Sequence, residues 1–557
     1  MSNTLRWIQS RSWRWSSLVI LIFCVGLGIE LWQWVGGRPF WLDEEMIALN
    51  FRDRAYGGVG SALWLGQSAP IGWLAIEWAV VRSFGTDERT LRLLPTLFGL
   101  ATLASALWVG QRWMAVAGAA TLLLLLSFGE WFTYFSNELK HYSADAFSGL
   151  LLPALAAWAA ESGEWTGVRR SMGSRVVYWW AAAAVGQLFA NGALFVMPGC
   201  AVALFAIAWR RGGGRLALGV AALGVMWAVA FAASYGLGLR FASGSAYLNE
   251  YWAFAFPPHR AGLLDTARWL GQQAEPFAIK PGGTGLWIIF WAAAVIGLLV
   301  GPQPLGLMGL TVVISLPVLA ALRIAPLYER ASLWALPMLY VGIALAVDTA
   351  VRVGRAFWAR RTWGATLVAL TAAVGAFIGL KLCADVLASG LTALEVGRDP
   401  RTNHALDDRG AVRWLQIRQR PGDVWMTTHL GLPAVWWYGH IPITDPLAGS
   451  READGTPIFE AQYKRRGCSS DELRQALQGH IRILLYLGFR FDDVPKGFDD
   501  LLLNTLSEFG AAVEGRGFGP AGRVWIIDMR QPGSSVDDDT RAHLIPGCIR
   551  VRTADRW

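Results

Sequence analysis

Apolar positions along this chain come in long blocks. They do not show the short amphipathic periods of a water-soluble domain. "SSLVILIFCVGLGIELWQWVG" (16–36) is long enough to cross a hydrocarbon core about 30 Å thick. Comparable runs recur at 91–109, 114–128, 143–160, 177–191, 194–209, 216–235, 285–301, 304–321, 332–350 and 364–382. The pattern predicts a polytopic all-α membrane domain of about eleven spans. "APIGWLAIEWAVVRSFG" (69–85) is shorter and carries Glu77 and Arg82 beside Trp73 and Trp78. Indoles favour the headgroup zone, so this segment is expected as an amphipathic helix in the outer interface.

From about residue 390 the blocks give way to shorter, alternating signals. Helical periodicity at 407–420, 432–439, 471–479 and 498–510 alternates with apolar strand signals at 422–428, 481–489 and 523–529. That order predicts a soluble C-terminal α/β domain with a largely parallel sheet. "GRGFGPAG" (515–522) reads as a turn between strands, because no helix opens after it. The expected domains are therefore 1–389, the membrane part, and 390–557, an extracytoplasmic α/β domain.

Composition agrees with the blocks. Of 557 residues, 54% are hydrophobic and 16% charged, against roughly 25% charged in soluble proteins. The net charge of +8 is not spread evenly: residues 390–557 hold 21 Lys/Arg and 22 Asp/Glu. The excess lies in the membrane part, where it orients helices and leaves no nucleic-acid footprint. Arg6, Arg11 and Arg14 precede the first run. That run exceeds a signal-peptide core and no small-x-small cleavage site follows, so a retained first span is expected. Cys24 and Cys200 lie in spans, Cys383 at the end of one, and Cys468 and Cys548 in the tail, without metal-ligand spacing. A Cys468–Cys548 bridge suits an oxidising compartment.

Orientation follows from the loops. With a cytoplasmic amino terminus, the cytoplasmic pieces hold 14 Lys/Arg in 57 residues and the outer loops 12 in 130. This is the bias of the positive-inside rule. "WRRGGGR" (209–215) then reads as a cytoplasmic turn. The polar clusters gather outside: "WLDEE" (41–45), "SNELKHYSADAF" (136–147), "RIAPLYERAS" (323–332) and the tail. A catalytic site at the outer water–lipid boundary would look like this.

Each cluster admits a plain reading and a chemical one. Asp43, Glu44 and Glu45 suit the first turn of a helix, where acids complement the dipole. An acid at a low-dielectric boundary also serves as general base or as an oxygen ligand for a divalent metal, the one cofactor these residues leave open. Glu138, Lys140, His141, Tyr142 and Asp145 suit interfacial anchors. Alternatively Lys140 and Tyr142 grip a phosphate, with His141 outside the ligand set. Arg330, beside Tyr328, can snorkel to headgroups or contact phosphate bidentately.

Taken in order, these motifs resemble the GT-C superfamily of polytopic glycosyltransferases, in the branch of bacterial aminoarabinose transferases and protein O-mannosyltransferases. The resemblance rests on "WLDEE", on "SAPIGWLAIEWAVVRSFGTDERTLRLLPTLFG" (68–99), on "NELKHYSADAF", on "APLYERASLWALP" and on "RPGDVWMTT" (420–428). It implies a sugar donor on a polyprenyl phosphate and an acceptor hydroxyl on an extracytoplasmic glycan, lipid or protein. The acceptor would displace the lipid phosphate with inversion. Asp43 matches the family's first-loop aspartate and would be the base, with Glu44 assisting by positioning the acceptor or a metal. Glu138, Lys140, Tyr142, Tyr328 and Arg330 would bind donor, and Asp145 would orient Lys140 or the sugar. Ala69-Pro70 replaces the family's Pro-Pro pair and Lys140 a frequent Arg, which leaves the sugar unassigned. The implied location is the inner (plasma) membrane.

Two other classes compete. A secondary transporter would place ionisable groups near the midplane on broken helices, and Glu30, towards the outer end of the first run, is the clearest acid in a span. A lipid-linked glycan polymerase or ligase would share the compartment and use a different loop.

Overall fold

Each of the eleven apolar runs folds as helix in the computed structural model. The structure describes residues 16–161, 173–358, 363–396, 399, 401–444, 451, 455–466, 470–490, 495–531 and 546–553. Among the described residues, six helices are long and apolar enough to cross a membrane: Ser17–Gly36 (α1), Leu93–Trp113, Tyr142–Ala160, Asn191–Ser243, Leu336–Trp358 and Val368–Leu394. Three shorter apolar helices are Val116–Phe128, Trp287–Val300 and Leu305–Ala321. The chain is a multi-pass membrane protein. Asn191–Ser243 runs through two expected spans and the expected cytoplasmic turn. Its backbone breaks at Gly213 (φ 70°), inside "WRRGGGR", where only glycine meets little steric penalty. The expected interfacial segment forms the 14-residue helix Ile71–Phe84 (α3).

The chain divides into two compact units. The helical unit holds the described residues to Val35, then Ser68–Ile76 and Arg92–Val396. The sheet unit holds Gly36–Gln67, Glu77–Leu91 and the described residues beyond Gly397. Thus the helix Leu42–Asp53 (α2), which follows the first span, packs with the carboxyl-terminal sheet.

Within the helical unit, Leu336–Trp358 is the central element, with Leu336 to Leu345 buried without a break. Small residues let its backbone approach its neighbours. A Cβ on Gly149 would sit 1.8 Å from the Trp334 carbonyl oxygen, and one on Gly297 1.8 Å from that of Gly342. Other apolar side chains, including Leu21, Val202, Leu218, Val229 and Phe377, stay exposed. On a protein solvated by lipid, that is the expected outer surface.

The sheet unit is built on six strands: Asp423–Thr428 (β1), Ile458–Lys464 (β2), Arg482–Leu487 (β3), Ala511–Phe518 (β4), Gly522–Asp528 (β5) and Cys548–Thr553 (β6). Their order is β4-β5-β3-β1-β2-β6. β1 pairs in parallel with β2 and β3, while β2–β6, β3–β5 and β4–β5 are antiparallel. The sheet is therefore mixed, and the expectation of a largely parallel one holds only for its centre. β1 and β3 are buried along their whole length, as parallel strands covered on both faces must be. "GRGFGPAG" supplies the end of β4 and the hairpin turn, with Gly519 at φ 72°. β4 is an exposed edge carrying Glu514 and Arg516, charges that discourage further pairing.

Candidate active site

Asp43, Glu44 and Glu45 fill the first turn of α2, where carboxylates meet the positive end of the helix. Their surroundings differ. Glu44 and Glu45 are fully buried, and Asp43 alone keeps partial access to solvent. The Glu44 carboxylate accepts from the Asn403 side-chain amide at 3.0 Å and from the Trp41 backbone N–H at 3.4 Å. The same Asn403 amide donates to the Pro39 carbonyl at 3.1 Å. One side chain from the tail thus fixes the entry to α2.

Glu45 lies beside Asp408, whose carboxylate accepts from the Tyr486 hydroxyl. Burial pushes Asp408 up to about 7. Burial, then the Asp408 charge, holds Glu45 well above the usual carboxylate range. Two carboxyls in a shared low-dielectric site do not both ionise readily. At neutral pH the pair therefore retains a proton.

The far end of α2 is latched as firmly. Arg52 Nη1 donates to the carbonyls of Trp436 and Trp437 at 2.9 and 3.2 Å, and Nη2 to that of Ile441 at 2.6 Å. These carbonyls lie at and just beyond the carboxyl end of the helix Leu432–Tyr438, where a cation is favoured. Asp53 holds the guanidinium through two 2.7 Å bonds and accepts from the Ile443 N–H at 3.0 Å. The Tyr438 hydroxyl receives the Phe40 N–H at 2.6 Å.

The place where α2 docks follows from sheet topology. Open α/β sheets bind ligands outside the carboxyl ends of their parallel strands. Tyr486 is next to last in β3, and Asp408 begins the helix that leads into β1. Phe489, two residues past β3, meets the Trp41 ring edge-on at 5.8 Å. The crevice that such a fold offers to a ligand is taken by the protein's own first loop.

In the helical unit, Ser136 to His141 form a non-helical turn leading into Tyr142–Ala160. The Lys140 N–H donates to the Glu138 carbonyl at 2.6 Å, a tight reversal around buried Leu139. Glu138, Lys140, His141 and Asp145 are all buried. The Asp145 carboxylate accepts from the Gly192 N–H at 2.7 Å, at the amino end of the helix Asn191–Ala222. His141 Nε2 lies 3.0 Å from the Asn191 amide and 3.7 Å from Asp145. Burial, reinforced by the Lys140 charge, pushes His141 down to about 3, so the imidazole is neutral at physiological pH. The Tyr142 ring packs between Phe135 and His141 at 5.1 Å from each.

The second expected cluster reaches the same end of this unit. Leu333 shares a small cavity wall with Ser136, Ser143 and Glu30, and a Cβ on Gly192 would touch both Trp334 and Asp145. Three residues before Leu333, the Arg330 guanidinium lies 5.9 Å from the Trp252 ring, and Tyr328 packs edge-on against Phe254 at 4.9 Å. Burial, with Glu329 next, raises the Tyr328 phenol, which stays protonated as a donor. Sequence reasoning named these residues and Asp43. It missed Asn403, Asp408 and Arg52, whose partners on the other side of the contact are hundreds of positions away, and Tyr486, which binds Asp408.

Among the described residues no three His, Cys, Asp or Glu gather as a ligand group, and Glu44 and Glu45 are buried in other contacts.

Comparison with solved structures shows that the chain shares a membrane-protein fold with them. It is similar to ArnT from Cupriavidus metallidurans bound to undecaprenyl phosphate, with 14% identity over 91% of this chain and 97% of that one, and a TM-score of 0.52. A weaker likeness is to the archaeal oligosaccharyltransferase AglB from Archaeoglobus fulgidus, with 10% identity, 90% and 73% coverage and a TM-score of 0.45. Neither a protein-family profile nor a curated protein sequence matches the chain.

Proposed function

We propose that this protein is an inverting glycosyltransferase that moves a sugar from a polyprenyl phosphate to an acceptor hydroxyl at the outer face of the inner membrane. The observation that carries this reading is the difference in burial among the three acids in the first turn of α2. Glu44 and Glu45 are fully buried, and Asp43 keeps partial access to solvent on a helix held at both ends. A general base needs that combination of access and fixed geometry.

In the proposed reaction the Asp43 carboxylate takes the acceptor hydroxyl proton as that oxygen attacks the anomeric carbon. The bond from that carbon to the phosphate oxygen breaks, and the lipid phosphate leaves from the opposite face. Lys140, Tyr142, Tyr328 and Arg330 bind the phosphate and offset its growing charge. Glu138 belongs to the same donor-binding turn. Glu44 holds the entry to α2, and Asp145 ties the start of its helix to the amino end of Asn191–Ala222. No step is routed through a metal.

The expected topology of about eleven spans puts the amino terminus in the cytoplasm and the sheet unit outside. The loop charges support it. So does Cys548, which is disulfide-bonded, since such bonds persist in oxidising compartments. Its expected partner Cys468 lies outside the described residues; Cys24, Cys200 and Cys383 are free. A secondary transporter is less well supported. Glu30, the acid in α1, is tied down by Ser136 and Asn137.

The test is transfer of label from a mixed pool of polyprenyl-phosphate sugars, by purified protein in nanodiscs, with membrane extract as acceptor source. Labelled product is the expected result and identifies donor and acceptor. No product from any donor across several extracts would overturn the reading in favour of a transporter or a glycan polymerase.

A further inference from the structure

A carboxylate inside a membrane span is costly unless something uses it. Glu30 sits on α1, 2% exposed, one of the few acids within the apolar helices. Its carboxylate accepts from the Ser136 hydroxyl and, at 3.0 Å, from the Asn137 side-chain amide. Ser136 and Asn137 open the turn that carries Glu138 and Lys140.

The same two residues are gripped from a second helix. The Thr96 hydroxyl lies 3.2 Å from the Ser136 carbonyl. Gly99 has no side chain because none fits: a Cβ there would lie 2.5 Å from that of Ser136 and 3.4 Å from the Glu30 carboxylate. Two transmembrane helices thus hold one end of a non-helical segment, while Asp145 and Gly192 hold the other. Between the anchors, the chain reverses over two residues, the Lys140 N–H donating to the Glu138 carbonyl at 2.6 Å. A cavity lined by Glu30, Ser136, Ser143 and Leu333 lies behind the turn. It leaves room for Glu30→Gln without a clash.

We infer that Glu30 is a positioning residue for lipid-phosphate recognition, acting through Ser136 and Asn137 to hold Lys140 in place. The inference rests on the donor-binding role proposed for Lys140. It distinguishes Glu30 from a transporter acid, which must exchange partners during its cycle, and from an inert core group, whose loss would not depend on Lys140.

The probe is undecaprenyl phosphate, titrated into nanodisc-embedded protein with its Kd read by intrinsic tryptophan fluorescence. Removing an acceptor from two buried donors costs about 1–3 kcal/mol, so Glu30→Ala should weaken binding roughly five- to a hundredfold. Glu30→Gln, which keeps one acceptor oxygen, should recover part of it. Lys140→Ala should weaken binding as well, and adding Glu30→Ala to it should cost nothing further, because coupled residues are not additive. Full additivity of the two, or wild-type affinity in Glu30→Ala, would overturn the inference while leaving the function intact. A wild type that binds no polyprenyl phosphate would overturn both. If Glu30→Ala fails to fold, Ser136→Ala carries the test: it removes one bond with Glu30 in place and should weaken binding several-fold, and an unchanged Kd would count against the inference.

Discussion

Arg52→Met removes the latch at the end of α2 while keeping most of the side chain's apolar length. The wild-type guanidinium is 17% exposed, its Asp53 partner 8%. It makes three bonds to carbonyls and two to Asp53, between 2.6 and 3.2 Å. Breaking a buried charge pair costs about 3–5 kcal/mol, largely because the abandoned partner stays buried. Residual exposure and the Ile443 N–H, which still satisfies Asp53, favour the lower end, about 3 kcal/mol. That is a factor of about a hundred in the opening equilibrium of α2. Hydrogen exchange followed by mass spectrometry on peptides covering 42–53 reads this directly. Exchange there should accelerate by about that factor, with peptides from β1 and β3 much less affected. Unchanged exchange in α2, with the variant folded, would refute the claim that the sheet unit holds this helix through Arg52.

Other consequences are equally concrete. Asp408 titrates near 7 in the folded chain against an ordinary 3.8, so between these values the native state keeps a proton that the unfolded state has released. Stability of the sheet unit should therefore fall as pH rises from about 4 towards 7. Asp408→Asn should flatten that slope in thermal melts; an equally steep slope would contradict the shared-proton pair. Gly297→Ala should lower the melting temperature of the helical unit, since its Cβ would meet the Gly342 carbonyl, and overpacking costs about 1–3 kcal/mol. A melt matching wild type would mean that these two helices separate more easily than their spacing implies.

Much of this was legible in the sequence because the physics is local. Long apolar runs must become helices in a bilayer, where no backbone group can stay unpaired; the eleven runs are helical, and among the described residues six helices are long and apolar enough to cross a membrane. The acids of "WLDEE" declared a helix start by charge alone. The strand Ile458–Lys464 went unseen because Glu460 and Gln462 break its apolar pattern. Glu460 is tolerated because His429, at 3.2 Å, and Arg552 on the neighbouring strand β6, at 3.1 Å, hold its carboxylate. The mixed sheet was missed for the same reason: β4 and β6 are edge strands rich in charge. Equally hidden was the division of labour among the acids. Nothing near residue 43 announces that Asn403 will bind Glu44 or that Asp408 will face Glu45. Those contacts exist only once the tail has folded around the first loop.

The central proposal is that Asp43, the first-turn acid of α2 that keeps partial access to solvent, acts as the base. The most direct test is Asp43→Asn, which keeps the shape and removes the basic oxygen. It would be compared with wild type for both undecaprenyl-phosphate binding and sugar transfer. The account predicts near-wild-type lipid binding with transfer reduced about a hundredfold or more. Transfer close to wild type by the asparagine variant would contradict it, and Asp43 would then be no more than the first acid of a helix.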